Sequence, residues 1–422
     1  MDSFEKIIGY KKEKEELRRT ADMLKNRAKY TALGIEIPNA LLLYGVPGVG
    51  KTIMAKAMIE ESGLKCFDCR KDSPDGEFVK KIRDTFVKAE ENAPSIVLLD
   101  DMDKFAEDNL EMNCNKEEFS VIQSCIESTR KSEVFVLATA NDIDNLPSSL
   151  MRSGRFGRKI EVKVPSVEDT ALIIERYLNG ITCESGINAD TIALILAGKS
   201  CAAVESIINE ARILAAYDNS GIVKKKHLIH SIMRMTENLI ETPVYDDKQI
   251  RRTAYHEAGH AIVEYFNGYN IALISILGYG DVGGCCITSD NITPYSFQII
   301  RNRVCTMMAG KAAVKLVFNE EDMGAGKDIE IAMKSIRGAI EKFCADGFEY
   351  GYCLDKWSCQ QALSRMDRVA DRAYIIAKEC YERAYEILSQ NILLLHKIAD
   401  HLIEYGFILK SEFQDILKEH SK

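Results

Sequence analysis

Three short, unbroken apolar runs punctuate the first third of the chain: ALLLYGV at 40–46, SIVLLDD at 95–101 and VFVLATA at 134–140. Runs of this length fit strands of a parallel sheet covered on both faces. Between them, amphipathic segments at 51–61 and 78–92 carry a helical period. This alternation predicts a doubly wound α/β domain over 1–165. Residues 166–240 continue the helical pattern without strand runs, and SVEDT at 166–170 supplies an N-cap serine followed by first-turn acids, so a small helical lid is expected there. A polar stretch with one proline makes 241–250 the expected linker. From 251 to 422 helices dominate, interrupted by a Gly-rich passage at 271–290 that fits a β-ribbon. The last sixty residues read as long amphipathic helices that serve packing.

Composition narrows the class. With 422 residues, two or three domains are expected, and 46% hydrophobic with 28% charged residues describes a globular chain rather than a disordered one. A net charge of -9 opposes contact with phosphate backbones, so no nucleic-acid partner is expected. No apolar stretch reaches the length of a membrane helix, and the N-terminus, MDSFEKIIGYKKEKEE, has no signal-peptide core, which predicts a soluble, cytoplasmic chain. The 13 cysteines are odd in number and scattered, so reduced thiols are expected. Cys66 and Cys69 form a lone C-x-x-C and read as two semi-buried thiols near a strand end.

Two motifs carry chemistry. Gly45-Val46-Pro47-Gly48-Val49-Gly50-Lys51-Thr52 matches G-x-x-x-x-G-K-[ST] between an apolar strand and a helix. There the backbone at Pro47, Gly48, Val49 and Gly50 curls round phosphate, with N–H groups offered by the residues after Pro47, while Lys51 neutralises β- and γ-oxygens and Thr52 serves magnesium. The strand at 95–99 delivers Asp100, the expected magnesium carboxylate, and Asp101, the expected base for the attacking water. Most motors of this kind carry the longer glutamate at the second position, so slow hydrolysis is expected. Asn141 follows the strand at 134–140 as a sensor of γ-phosphate. Arg155 and Arg158, in MRSGRFGRK, are expected to complete a neighbouring subunit's site as arginine fingers.

His256-Glu257-Ala258-Gly259-His260 is H-E-x-x-H within a helical pattern. Four-residue spacing sets both imidazoles on one face, able to share zinc, with Glu257 as proton carrier. A third ligand is needed. Glu264, one further turn along, and Asp328, at the start of a helix in GAGKDIEIAM, are both candidates, and spacing does not choose between them. Chance occurrence of both motifs in one chain is on the order of one in ten thousand.

Taken in order, these residues resemble the FtsH family of AAA zinc proteases over nearly the entire chain. FEKIIGYKKEKEEL resembles the family's opening segment, where the backbone around Ile7, Ile8 and Gly9 would flank adenine. AYHEAGHA is close to its peptidase signature, and GAGKDIEIAM to the passage supplying an aspartate ligand, so the resemblance makes Asp328 the third ligand. It implies an AAA large domain, a helical lid and a mainly α-helical zinc metallopeptidase domain. It further implies a homohexamer, ATP with Mg2+ and Zn2+ as cofactors, and proteins as substrates. Several positions depart from the pattern. The pore-loop region reads Asp72-Ser73-Pro74-Asp75-Gly76-Glu77-Phe78, with the gripping aromatic missing from its place and Phe78 shifted. Cys201 and Ala203 stand where a glycine and an acid are usual, and Val314 and Lys315 where two acids are. The family's N-terminal membrane helices are missing, which fits either a relative without them or a chain from which they were removed. Three activities compete: an ATP-driven protease that unfolds its substrates, a zinc peptidase with an uncoupled ATPase acting on unfolded chains, and a remodelling ATPase with a degenerate peptidase domain. The intact motifs favour the first.

Overall fold

A computed structural model describes residues 3–72, 75–105, 117–129, 132–152, 154–237, 246–277, 283–289, 295–347 and 359–420. The chain forms two compact units, 1–179 with 198–206, and 180–197 with 207–422.

The first unit opens with helices α1 (Lys11–Lys25) and α2 (Arg27–Thr31), then alternates β1 (Ala40–Tyr44), α3 (Lys51–Ser62), β2 (Lys65–Cys69), α4 (Asp75–Glu91), β3 (Ser95–Leu99), α5 (Glu117–Ser128), β4 (Val134–Ala140), β5 (Arg158–Glu161) and α6 (Val167–Leu178). All five strands pair in parallel in the order β2-β3-β4-β1-β5. The three apolar runs therefore lie side by side at the centre of the sheet, each residue committed to one face by the two-residue period of a strand. Leu42, Val97, Leu99 and Val136 face one core with Phe78, Ile82 and Phe119. Their neighbours Leu41, Leu43, Ile96, Leu98 and Leu137 face the opposite core with Leu17, Met54 and Met58. Burial on both sides is why these strands read as continuous apolar runs. Cys66 and Cys69 lie in β2 as free thiols, both pushed up to about 11 by burial.

Phe78, the displaced aromatic of the pore-loop region, is fully buried and meets Phe105 edge-on, with ring centroids 4.8 Å apart. It is a core residue of this unit and offers no surface for gripping a substrate. Ser73 and Pro74 lie outside the described residues.

The second unit contains α7 (Ala189–Ile195), most of α8 (Cys201–Tyr217) and α9 (Lys225–Glu237), followed by the peptidase-motif helix α10 (Asp247–Phe266). Residues 241–245 of the expected linker lie outside the described residues. A capping box of Asp246 and Gln249 starts α10. The expected ribbon appears as β6 (Ile271–Ser275) paired antiparallel with β7 (Cys285–Thr288); residues 278–282 and 290 are outside the described set. Then come α11 (Phe297–Phe318), α12 (Gly326–Phe343), α13 (Cys359–Gln390), α14 (Ile392–Tyr405), β8 (Phe407–Leu409) and α15 (Lys410–His420). The C-terminal stretch is thus not purely helical: β8 returns to pair antiparallel with β6, completing a sheet of order β7-β6-β8.

Small residues bring α10 and α11 together. A Cβ added at Gly259 would lie 2.7 Å from both the Ala309 carbonyl oxygen and the Ala313 Cβ, so glycine is required for this approach. Among the described residues no helix is long and apolar enough to cross a membrane.

Candidate nucleotide and metal sites

Strands β3, β4 and β1 are neighbours, so their carboxyl ends gather Asp100, Asn141 and the loop after Tyr44 at one edge of the sheet. The loop turns at Gly45, whose backbone N–H bonds the Ala140 carbonyl at 3.2 Å and where a Cβ would fall 2.0 Å from the Val162 carbonyl oxygen. Gly48 and Gly50 have φ of 78° and 98°, left-handed values that let the backbone curl before α3 begins at Lys51. Pro47 is exposed on this curl and Val49 is buried beneath it. Lys51 is buried, and its ammonium donates to the carbonyls of Gly45 (2.6 Å) and Val46 (3.1 Å) and to Asn141 Oδ1 (2.9 Å). Burial lowers its pKa, against the pull of Asp101, Asp103 and Asp100.

Asp100, 4% exposed, is the hub. Its Oδ1 accepts from the hydroxyls of Thr52 (3.0 Å) and Thr139 (2.8 Å), and its Oδ2 accepts from Arg70 Nη2 at 2.5 Å. Asp101 has a left-handed backbone, φ 57°, a region that a short Asp tolerates better than a longer side chain. Its carboxylate pairs with Lys104 at 2.8 Å. Asn141 is fixed by Asp103, which accepts from both its backbone N–H and its side-chain amide at 3.0 Å.

Ile8 is half-buried in a tight turn: Gly9 and Tyr10 both have positive φ, and a Cβ on Gly9 would meet the Asp169 side chain at 2.3 Å. The Tyr10 hydroxyl lies 3.3 Å from Cys201 Sγ, and the neighbouring Ala202 N–H donates to the Gly48 carbonyl at 3.0 Å. The turn at Ile8 and Gly9, the start of α8 and the phosphate loop are therefore neighbours. Arg155 pairs with Glu127 (2.5 Å) and donates to the Ser149 carbonyl, while Arg158 pairs with Glu16 (2.5 Å). Both guanidinium groups are engaged within their own chain.

In the second unit, α10 presents His256 and His260 one turn apart, with Nε2 atoms 2.9 Å from each other. Asp328, at the start of α12, places Oδ2 3.2 Å from His256 Nε2 and 3.3 Å from His260 Nε2. The far nitrogens are already committed: His256 Nδ1 bonds Asp322 Oδ2 at 2.6 Å and His260 Nδ1 bonds the Thr306 carbonyl at 2.7 Å. With Nδ1–H donating outward, each imidazole in its neutral form would turn an Nε2 lone pair toward the space beside Asp328, the donor set and tautomer a zinc ion requires. Glu264, the other ligand candidate, instead accepts from the Thr306 hydroxyl.

Without an ion, the two aspartates favour positive charge on the His256 imidazole itself, a proton that metal binding would release. Burial disfavours a charged His256, but hydrogen bonds with Asp322 and Asp328 outweigh it and raise its pKa to about 10. For Asp328 burial is likewise outweighed by the two imidazoles, which hold the carboxyl well below its ordinary range. Glu257 is buried, which raises its pKa, with His256 and His260 pulling the other way. Two glycines make room. A Cβ on Gly310 would sit 2.4 Å from the His256 ring, and one on Gly284 would sit 2.7 Å from Glu257 Cγ.

The motifs did not reveal several of these residues. Asp322 lies six positions ahead of Asp328 in a run of acids and glycines, and Gly310 lies in the passage MAGKAAV, near Val314 and Lys315. Val314 proves to be buried core, and Lys315 pairs with Glu321. Asp103, Thr139 and Arg70 are likewise defined only by their partners in space.

Comparison with known proteins covers both halves. Residues 41–164 match the ATPase family associated with various cellular activities (AAA), and residues 243–416 match peptidase family M41. An ATP-dependent zinc metalloprotease FtsH of Karelsulcia muelleri is 30% identical over 98% of this chain and 71% of its own length. The FtsH of Caldicellulosiruptor bescii is 30% identical over 100% of this chain and 73% of its own. The chloroplastic FTSH 1 of Arabidopsis thaliana is 31% identical over 98% of this chain and 62% of its own. Likeness that runs through the phosphate loop and the two-histidine helix alike, and spans more than two thirds of the two bacterial relatives, means that this chain belongs to the FtsH family of ATP-dependent zinc metalloproteases.

Proposed function

We propose that the chain cuts protein substrates at zinc held by His256, His260 and Asp328, and that ATP hydrolysis between the phosphate loop and Asp100 drives substrate to that site. The observation that carries this reading is the convergence of two Nε2 atoms and one carboxylate oxygen, with both Nδ1 atoms already bonded elsewhere. When bound, zinc supplies Lewis acidity, acidifying a water and polarising a peptide carbonyl. Glu257 takes the proton from water and returns it to the leaving amine; its burial raises its affinity for that proton. Asp322 and the Thr306 carbonyl hold the two rings in the required tautomer.

In the motor, Lys51 turns from its own loop carbonyls to phosphate oxygens, Thr52 and Asp100 serve Mg2+, Asp101 polarises the attacking water, and Asn141 reads the γ-phosphate. The backbone at Ile8 and Gly9 borders adenine, with Pro47, Gly48, Val49 and Gly50 round the phosphates. Arg155 and Arg158 act across a homohexamer interface, exchanging Glu127 and Glu16 for a neighbour's phosphates. The ten cysteines whose side chains are described are free, which suits a reducing, cytoplasmic setting.

Casein cleavage by the zinc-loaded protein, with light scattering of the same preparation, tests the reading. Cleavage is expected from a particle of six chains with ATP and not with ADP, and to fall about 100-fold or more in Glu257→Gln at unchanged zinc content. Equal cleavage without nucleotide would refute the coupling, unchanged cleavage by the variant the role of Glu257, and a monomeric active species the ring.

A further inference from the structure

The magnesium carboxylate of the proposed nucleotide site already has a cation on it. Asp100 is 4% exposed, and its Oδ1 is taken by two hydroxyls, Thr52 and Thr139. Its Oδ2 is held at 2.5 Å by Arg70, whose side chain follows β2 and is 60% exposed. A buried carboxylate left without a countercharge is costly, and here the chain itself provides one. Thr52 and Asp100 are also the pair that would face Mg2+, so guanidinium and metal address the same carboxylate.

Both cannot stay. A divalent ion beside Asp100 would sit within a few ångströms of a guanidinium bonded to the same group, and like charges at that range repel. Arg70 is the partner free to move, because its side chain is mostly in solvent while Asp100 is anchored by two hydroxyls. We infer that Arg70 is a positioning residue for the nucleotide site: it supplies the countercharge to Asp100 while the site is empty, and Mg2+ must displace it, so Arg70 sets the magnesium concentration at which nucleotide binds.

This rests on the nucleotide reading above, and the measurement separates the two. Binding of a fluorescent ADP analogue to the full chain is followed by anisotropy during a Mg2+ titration. In Arg70→Ala and Arg70→Gln the half-saturating Mg2+ concentration is expected to fall about fivefold, the size of one partly exposed ion pair. Neither should unfold the protein, since Arg70 is exposed, and the melting temperature checks this. Lys104→Ala is the comparison, because Lys104 is also an exposed cation near the site but bonds Asp101. Its removal should shift the midpoint less than twofold. An unchanged or higher midpoint in the Arg70 variants overturns the inference, as does an equal shift in Lys104→Ala, which would mean a general field and not competition for Asp100. Failure of the unaltered protein to bind the analogue at any Mg2+ concentration would overturn the nucleotide reading itself.

Discussion

The hydrogen at Gly310 Cα is as much a part of the metal site as the imidazole it faces. A methyl there would fall 2.4–2.6 Å from three atoms of the His256 ring, so the ring would have to turn and would lose its bond to Asp322. Partners that orient a metal-binding histidine contribute roughly 10- to 100-fold in affinity. Gly310→Ala is therefore expected to weaken zinc binding by about that factor while leaving ATP turnover unchanged, as zinc competition with a chelating dye and a phosphate-release assay will show. Normal zinc affinity would mean that the helices yield instead of the ring. Asp101 carries a similar lesson. The chain has the short acid at a left-handed backbone position, φ 57°, where a longer side chain is less favoured. Its identity suits the local backbone geometry.

At the scale of elements, much of the fold was legible because the pattern is local. Continuous apolar runs gave the central strands, G-x-x-x-x-G-K-T and H-E-x-x-H gave the loop and the α10 face, and the Gly-rich passage gave the ribbon. What escaped depends on partners distant in sequence. β8 has three residues and becomes a strand only through pairing with β6, some 130 positions earlier. The choice between Glu264 and Asp328 needed the fold, since Asp328 reaches the histidines only because α12 begins beside α10, and Asp322, Asp103 and Arg70 had no motif at all. Phe78, shifted in sequence from the pore-loop place, is turned inward by α4. The α10–α11 contact shows how strict such packing is. At Gly259 even one methyl would overlap a backbone carbonyl at 2.7 Å, and overpacking of this kind costs about 1–3 kcal/mol. Gly259→Val is expected to lower the melting temperature of the peptidase half and to reduce zinc retention together; an unchanged melting temperature would show that α10 and α11 can part without loss.

For the whole molecule, the two chemistries lie in two compact units, and membership of the family joins them in one chain. In the peptidase unit the two aspartates lie where a bound metal would bear on the fold. Asp322 and Asp328 both face His256, from either end of the stretch 322–328, and between them lie two glycines and an 89%-exposed methionine, Met323. That stretch is tied down at both ends by one imidazole, and between them only Ala325 is buried. Zinc on His256, His260 and Asp328 would add a clasp to these hydrogen bonds, and without it the start of α12 would be held by the hydrogen bonds alone. Chelation should open a cut for trypsin at Lys327, and refilling the site should close it. A cut appearing equally fast with zinc bound would show that the clasp is not the metal.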